Sequence, residues 1–320
     1  MKQNQLAVLL TLSCLFTAGF CANRCCYSQD ARYRIQLEPR QRAAANDPET
    51  RWYASPVKTV TGVVEQIDEH QISILVDGQT IAQRHSAARL ISLEPLDLPD
   101  DQRQAIDAFG RQAYTDALTG LIRSVSEKEV SQRPPVWRQQ WLSMLASQAA
   151  MRSGRGEISL ELVNQLDSRP LPQVVVALLP IDWTGTAEAT LFDSAAKMAS
   201  SPSLAVKLVA ASWLLRSPKY RPAAETAIKR LSKQSDRPVI AMLATQLAWQ
   251  TNSPAKLSED FGVWRSSIDS LPMSLQTGPL ILISSTARRL GLKDESKALN
   301  LSLIHAAPTW HPDLPTDDRR

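Results

Sequence analysis

The pattern of hydrophobic and polar positions is most strongly apolar between Pro202 and Pro218. Apart from the serines at its two ends, only Lys207, Ser212 and Arg216 interrupt this segment, so a helix formed here would be apolar almost all the way round and would need cover on several sides. At about 15 residues, roughly 22 Å, it is too short to cross a bilayer. Other helices are therefore expected to cover it, and the segment predicts the centre of a helical stack.

A helical period extends over residues 96–306, which are predicted to form an α-helical repeat domain. One helix is expected over residues 100–125, and another is expected to begin at Pro279 and to end at Leu290. Short helices joined by short loops pack as antiparallel pairs, and pairs placed side by side form a solenoid-like array. The prolines that mark the joints are Pro202, Pro218, Pro222, Pro238, Pro254, Pro272 and Pro279.

Residues 57–95 follow a period of two, which is typical of β-strands. Strands are predicted at residues 58–67 and 71–76, with Asp77-Gly78 as the tight turn of a hairpin and returning strands at residues 80–84 and 89–93. Four or five short strands cannot form a wide sheet, and closing them into a barrel would hide both edges. The pattern therefore predicts a small β-barrel module.

The first 22 residues are predicted to be a signal peptide or an N-terminal anchor. Lys2 precedes an apolar run from Leu6 to Ala22, and a polar stretch follows. Small residues around Gly19 offer cleavage points for a signal peptide, whereas the arginines behind the run would keep the C-terminal side of an uncleaved anchor in the cytoplasm. The expected location is outside the cytoplasm, in the periplasm or cell envelope, with membrane attachment through residues 1–22 if they persist.

Residues 23–56 and 307–320 are polar, contain prolines and show no sustained apolar period. They are predicted to be a flexible linker and a flexible tail. All cysteines of the chain lie within its first 26 residues, at positions 14, 21, 25 and 26. The folded body is therefore expected to hold no disulfide framework, no thiolate zinc site and no catalytic cysteine. Cys25 and Cys26 remain candidates for a disulfide.

The sequence motifs that are typical of common enzyme classes are missing. There is no Gly-x-Ser-x-Gly turn, no Gly-x-x-x-x-Gly-Lys loop and no Gly-x-Gly-x-x-Gly loop. With four histidines, none at metal-ligand spacing on a helix face, neither a triad nor a metal site is predicted. Glu157 and Glu161, one helical turn apart, are the paired carboxylates that are hardest to dismiss. The sequence predicts no catalytic residue, no cofactor and no metal.

The net charge of +4 is small for 320 residues, and the basic residues are spread along the chain. Since nucleic-acid binding needs clustered positive charge, it is not expected. Tryptophans inside the predicted helices are expected to fill space between repeats. Trp52, Trp183 and Trp310 lie in or beside breaks, and they are the candidate binding residues if a groove holds glycan or peptide.

Residues 96–306 resemble tetratricopeptide-type helical repeats, on helix length and on the segments 110–114 and 137–142. Residues 57–95 resemble SH3-like and Sm-like small β-barrels, on the segments 62–68 and 72–78. The first resemblance implies a concave surface that binds another protein. Barrels of the second kind bind peptides or RNA through exposed aromatic side chains, which residues 57–95 lack.

The fold class expected is mostly α, with antiparallel helix pairs in a solenoid-like array preceded by a small SH3-like β-barrel. The function expected is that of a non-enzymatic envelope protein, a scaffold that binds another envelope protein through its helical array. Binding or hydrolysis of cell-wall glycan or peptidoglycan is the alternative.

Overall fold

The computed structural model describes residues 31–38, 57–126 and 134–305. Within them, five β-strands are followed by thirteen α-helices, so the expectation of a mostly α protein with a preceding β region is confirmed. The strands are β1 (Arg32–Leu37), β2 (Lys58–Ile67), β3 (Gln71–Val76), β4 (Gln83–Ser86) and β5 (Leu90–Pro95).

The strands form one antiparallel sheet in the order β4-β3-β2-β1-β5. The sheet is open, because β4 and β5 stand at opposite edges and do not pair, so the barrel predicted for residues 57–95 is not closed. One of the later helices packs against β5. Cover from helices protects an edge without closure of the sheet.

The strand β1 comes from the segment that was predicted to be a flexible linker. Tyr33, Ile35 and Leu37 are at most 3% exposed and alternate with polar neighbours, which is the pattern of a strand with one face in the core. β1 pairs with β2 on one side and with β5 on the other. The linker prediction is therefore wrong for Arg32–Leu37. The signal segment, the rest of the linker and the tail lie outside the described residues.

Glycines fix the backbone at two points of the sheet. A Cβ at Gly62 would collide with the backbone carbonyl of Leu75, so the two strands approach too closely for any other residue. Gly78, at the predicted Asp77-Gly78 turn, has φ +78°, which favours glycine. This turn follows β3, and β3 pairs with β4 beyond it, but β4 begins at Gln83 and not at residue 80. The connection is therefore longer than the tight hairpin that was predicted.

The helices cover most of the remaining chain and are short except for two. They are α1 (Asp100–Gly110), α2 (Tyr114–Ser126), α3 (Val136–Arg152), α4 (Gly156–Leu166), α5 (Gln173–Val176), α6 (Phe192–Met198), α7 (Leu204–Leu214), α8 (Arg221–Leu231), α9 (Pro238–Ala248), α10 (Pro254–Glu259), α11 (Phe261–Asp269), α12 (Met273–Arg289) and α13 (Lys293–His305).

The helices from α1 to α4 pack each on the next, and so do those from α6 to α9. The apolar helix α7 lies at the centre of the second run, with Val209, Ala210 and Trp213 fully buried, as its sequence predicts. The helix α12 returns across the structure and contacts β5, α5 and α9. One hydrophobic core therefore includes the sheet and most of the helices, and a smaller cluster lies among α1, α2, α3 and α4.

Two helix predictions are corrected. The helix expected over residues 100–125 is two helices, because the chain turns at Gln112, which has φ +64°. Pro279 does not begin a helix but lies inside α12. A proline removes one helical hydrogen bond, and here the nearly complete burial of Leu282 and Ile283 beyond it holds the helix in place.

None of the helices in the described ranges combines the length and apolar character that a bilayer span requires.

Candidate functional site

A cavity of about 310 Å³ lies where the β5 edge of the sheet meets the helices. Five consecutive residues of β5 line it, and so do side chains of α1, α3, α5 and α12. Sites for small molecules span about 300 to 1,000 Å³, so the cavity suits a small ligand. Its apolar lining residues are Ile91, Leu93, Pro95, Leu98, Ile106, Val174, Ala177 and Leu178.

The helix α3 supplies the most distinctive part of the lining. It begins directly after Pro135, and its early residues Trp137, Arg138 and Trp141 all border the cavity. Positions separated by three or four residues share a helix face, which brings Trp141 beside the first two. The ring of Trp137 is held against Tyr33 of β1 in an edge contact, with 5.1 Å between the ring centroids.

Arg138 is a buried cation, with 3% of its surface exposed. Its Nε donates one hydrogen bond to Oε1 of Gln102, at 3.3 Å, and its guanidinium carbon lies 4.3 Å from the ring centroid of Trp141. Burial lowers the pKa of Arg138 to about 10, so the side chain stays charged at neutral pH. Within the described ranges, no carboxylate forms an ion pair with it.

Two further polar groups in the lining are unsatisfied. The Nε1 of Trp137 and the Oγ of Ser274 are buried and have no hydrogen-bond partner among the described residues. Trp137 is 5% exposed and Ser274 is 2% exposed. Since almost all buried polar groups in folded proteins are hydrogen-bonded, two such groups beside a third that is poorly satisfied call for an explanation.

Among the described residues of the lining, the one carboxylate is that of Glu94. Its side chain is 57% exposed and lies 3.9 Å from the guanidinium of Arg34, which places it at the rim of the cavity. The lining contains no histidine, and no group of three metal-ligating side chains occurs within the described ranges. What the arrangement offers is a set of hydrogen-bond donors and one positive charge at an otherwise apolar site.

The structure places Trp183 in the core and not in an open groove. Its ring is 2% exposed and fills the space beside Gly278 on α12, where a Cβ would collide with the indole. The hypothesis that Trp183 binds a surface ligand is therefore wrong. Trp52 and Trp310, the other two predicted binding residues, lie outside the described residues.

The paired carboxylates of α4 do not form a separate site. Glu157 is exposed, and Oε1 of Glu161 accepts a hydrogen bond from Gln165 one turn further along, at 3.2 Å. Both side chains behave as ordinary residues of a solvated helix face.

Sequence reasoning missed Arg138. The signal was available, because Arg138 stands between Trp137 and Trp141 in a segment where a buried stripe is expected, and an arginine so placed is poorly explained by solvation. Its isolation from carboxylates could not be read from the sequence, since it depends on which elements meet around α3.

Comparison of the chain with protein-family models, with curated proteins and with solved structures found no match.

Proposed function

We propose that this protein acts by binding and not by catalysis, and that the cavity beside Arg138 holds a small molecule. The observation that carries the proposal is the buried guanidinium of Arg138. It donates one hydrogen bond, to Gln102, and forms no ion pair with a carboxylate of the described residues. A buried charge without a counter-charge is costly, and it is retained where it serves recognition.

Energetics support this proposal. A fall in the arginine pKa to about 10 corresponds to roughly 3 kcal/mol of penalty on the charged form. An unfilled apolar cavity also forgoes the dispersion contacts that its lining would otherwise make. A ligand that filled the cavity and faced Arg138 would offset both costs.

The proposal is tested by calorimetric titration of octanoate and of octanol into the full chain. We expect at least one of these probes to bind with a Kd tighter than about 1 mM, a free energy of roughly −4 kcal/mol. Replacing the lining residue Ala177 by Phe fills the cavity and abolishes that binding. Ala223→Phe, at an exposed position of α8, is the matched control and leaves it intact. Absence of binding by both probes to the unaltered chain contradicts the proposal.

A second proposal is that the helical array presents a surface to another protein, in the manner of a scaffold. Sequential packing from α1 to α4 and from α6 to α9 supports it, because solenoid-like arrays are built in this way. Val263 on α11 is 66% exposed and Met242 on α9 is 39% exposed, and these two helices contact each other. If residues 1–22 direct export, the partner is another protein of the cell envelope.

The scaffold proposal is tested with a photo-crosslinking amino acid at position 263 in intact cells. Capture of a defined protein from position 263, and not from Ile81, which is 79% exposed in the loop between β3 and β4, supports it. Equal capture from both positions, or none, contradicts it. Mass spectrometry of the mature N-terminus tests export, since a chain that begins after residue 17 has lost a signal peptide.

Cell-wall glycan remains the alternative ligand class for this scaffold. Burial of Trp183 removes one of the three tryptophans on which it rested. The test of this alternative is cosedimentation with purified cell wall. It compares the unaltered full chain with a Trp52→Ala, Trp310→Ala double variant.

A further inference from the structure

We propose that the ligand of this cavity is a monocarboxylate with an apolar body, and that its carboxylate binds the guanidinium of Arg138. The indole N–H of Trp137 and the hydroxyl of Ser274 donate further hydrogen bonds to it. This inference rests on the proposed function and adds the chemical class of the ligand.

The charge of the ligand follows from the charges that the cavity holds. Arg138 is the one buried cation of the lining, and Glu94 at the rim is already close to Arg34. A ligand with a single negative charge balances Arg138. A neutral ligand leaves the arginine uncompensated, and a dianion such as a phosphate monoester adds a buried negative charge that nothing in the lining meets.

The hydrogen-bonding groups of the lining match a carboxylate. A guanidinium carries five N–H donors in a planar fork, and the hydrogen bond to Gln102 occupies the Nε donor of Arg138. The remaining donors can bind both oxygens of one carboxylate side by side. Trp137 Nε1 and Ser274 Oγ each have an unused donor, and the two carboxylate oxygens have acceptor capacity for both.

The rest of the lining sets the body of the ligand. Side chains from three elements, Leu93 of β5, Ile106 of α1 and Val174 of α5, offer only apolar surface. The exposed carboxylate of Glu94 disfavours a second anion at the rim. The ligand therefore enters with its carboxylate inward, and the volume of about 310 Å³ limits it to a short chain or a single small ring system.

The test compares four probes with the same eight-carbon chain: octanoate, octanol, octylamine and octyl phosphate. We expect calorimetry on the full chain to give a Kd for octanoate at least tenfold tighter than for each of the others. Equal affinity for octanol and octanoate overturns the ligand class and leaves the proposed function standing. Tightest binding of octyl phosphate, with octanoate or octanol still binding, likewise overturns the class alone. Failure of both octanoate and octanol overturns the ligand class and the proposed function together.

Substitutions then separate recognition from structure. Arg138→Met is expected to weaken octanoate binding at least tenfold and to leave octanol binding unchanged, because it keeps an unbranched apolar side chain and removes the charge. Arg138→Lys keeps the charge without the planar fork. Its affinity for octanoate is therefore expected to fall between that of the unaltered chain and that of Arg138→Met. Arg111→Met, at an exposed position at the end of α1, is the matched control and changes neither affinity.

The neutral donors are tested in the same way, with circular dichroism confirming that each variant is folded. Trp137→Phe and Ser274→Ala each remove one donor, and each is expected to weaken octanoate three- to tenfold while octanol is unaffected. A variant that loses both probes equally has altered the cavity itself, and that result contradicts the role of its donor in binding the carboxylate.

Discussion

Two buried charges in this protein have opposite surroundings. Asp167, at the end of α4, has a side chain that is 2% exposed, and it accepts hydrogen bonds from Arg237 at 2.6 Å and from the hydroxyl of Ser203 at 2.6 Å. Arg138 is as deeply buried, yet it donates one hydrogen bond, to Gln102, and forms an ion pair with no carboxylate in the described ranges.

The difference shows which charge serves the fold. Ser203 caps the start of α7, and Arg237 immediately precedes α9, so Asp167 joins the ends of three helices. Every partner it needs comes from the chain itself. Arg138 lines a cavity, and the described part of the chain gives it no counter-charge that would make its burial favourable. Burial alone therefore does not distinguish a structural charge from a binding charge, whereas the list of partners does.

Asp167→Ala breaks this comparison on its structural side. It leaves Arg237, which is 26% exposed, without its carboxylate and removes the acceptor of Ser203. We expect the free energy of unfolding to fall by about 3 to 5 kcal/mol, measured by urea denaturation. Asp193→Ala, at an exposed position of α6, is the control and should change it by less than about 0.5 kcal/mol. Equal losses of unfolding free energy in Asp167→Ala and Asp193→Ala would show that Asp167 does not link the helix ends.

Gly278→Ala tests the close packing of α12 against Trp183, one residue beyond the cavity residue Thr277. The new Cβ would collide with the indole of Trp183, so α12 must shift, and the unfolding free energy should fall by about 2 kcal/mol. Gly262→Ala, in an exposed part of α11 where a Cβ meets nothing, should instead gain about 0.5 to 1 kcal/mol. A stabilising Gly278→Ala would contradict the close packing of α12 against Trp183.

Gln102→Leu sharpens the comparison at Arg138. It removes the one hydrogen-bond acceptor that the described chain provides to the guanidinium, which should lower the unfolding free energy by about 1.5 kcal/mol. In an Arg138→Met background the loss should disappear, because no charge remains to be satisfied. A loss of the same size in both backgrounds would show that Gln102 acts through packing alone.

Asp68 is a further charged group, and the stability that it contributes depends on pH. Burial raises its pKa, but hydrogen bonds from the amides of His70 and Gln71 outweigh burial and bring it below its usual value. A lowered pKa contributes stability that is present above the ordinary value and is lost as the pH falls. Asp68→Ala should therefore cost about 1 kcal/mol at pH 7 and less at pH 3, by urea denaturation at both values. An equal loss of unfolding free energy at pH 7 and at pH 3 would contradict the lowered pKa of Asp68.

Much of the fold could be predicted from the sequence, because periodicity records burial. The alternation in β2 and β3 and the apolar surface of α7 were sufficient to place these elements. The strand β1 was missed because its three buried residues stand among arginines in a proline-containing segment, and only pairing with β2 and β5 makes it a strand. The turn at Gln112 was missed because the apolar period continues across it.

The candidate site could not be predicted in the same way. Its lining joins β5, α1, α3, α5 and α12, which are far apart in the sequence. Its character depends on the lack of a counter-charge for Arg138 among the residues that the structure describes. Sequence patterns do record the tryptophans on either side of Arg138. They do not record which groups fail to reach it, since that depends on how the helices pack against the edge of the sheet.

The stability of Arg138→Met without any ligand tests the central claim most directly. Removing the charge forfeits the contact with Trp141 and the hydrogen bond to Gln102, but it also removes an uncompensated buried cation. If the fold does not satisfy Arg138, urea denaturation will show the variant to be more stable than the unaltered protein by about 1 to 3 kcal/mol. A loss of about 1 kcal/mol or more would mean that Arg138 holds the fold together, and it would contradict the account.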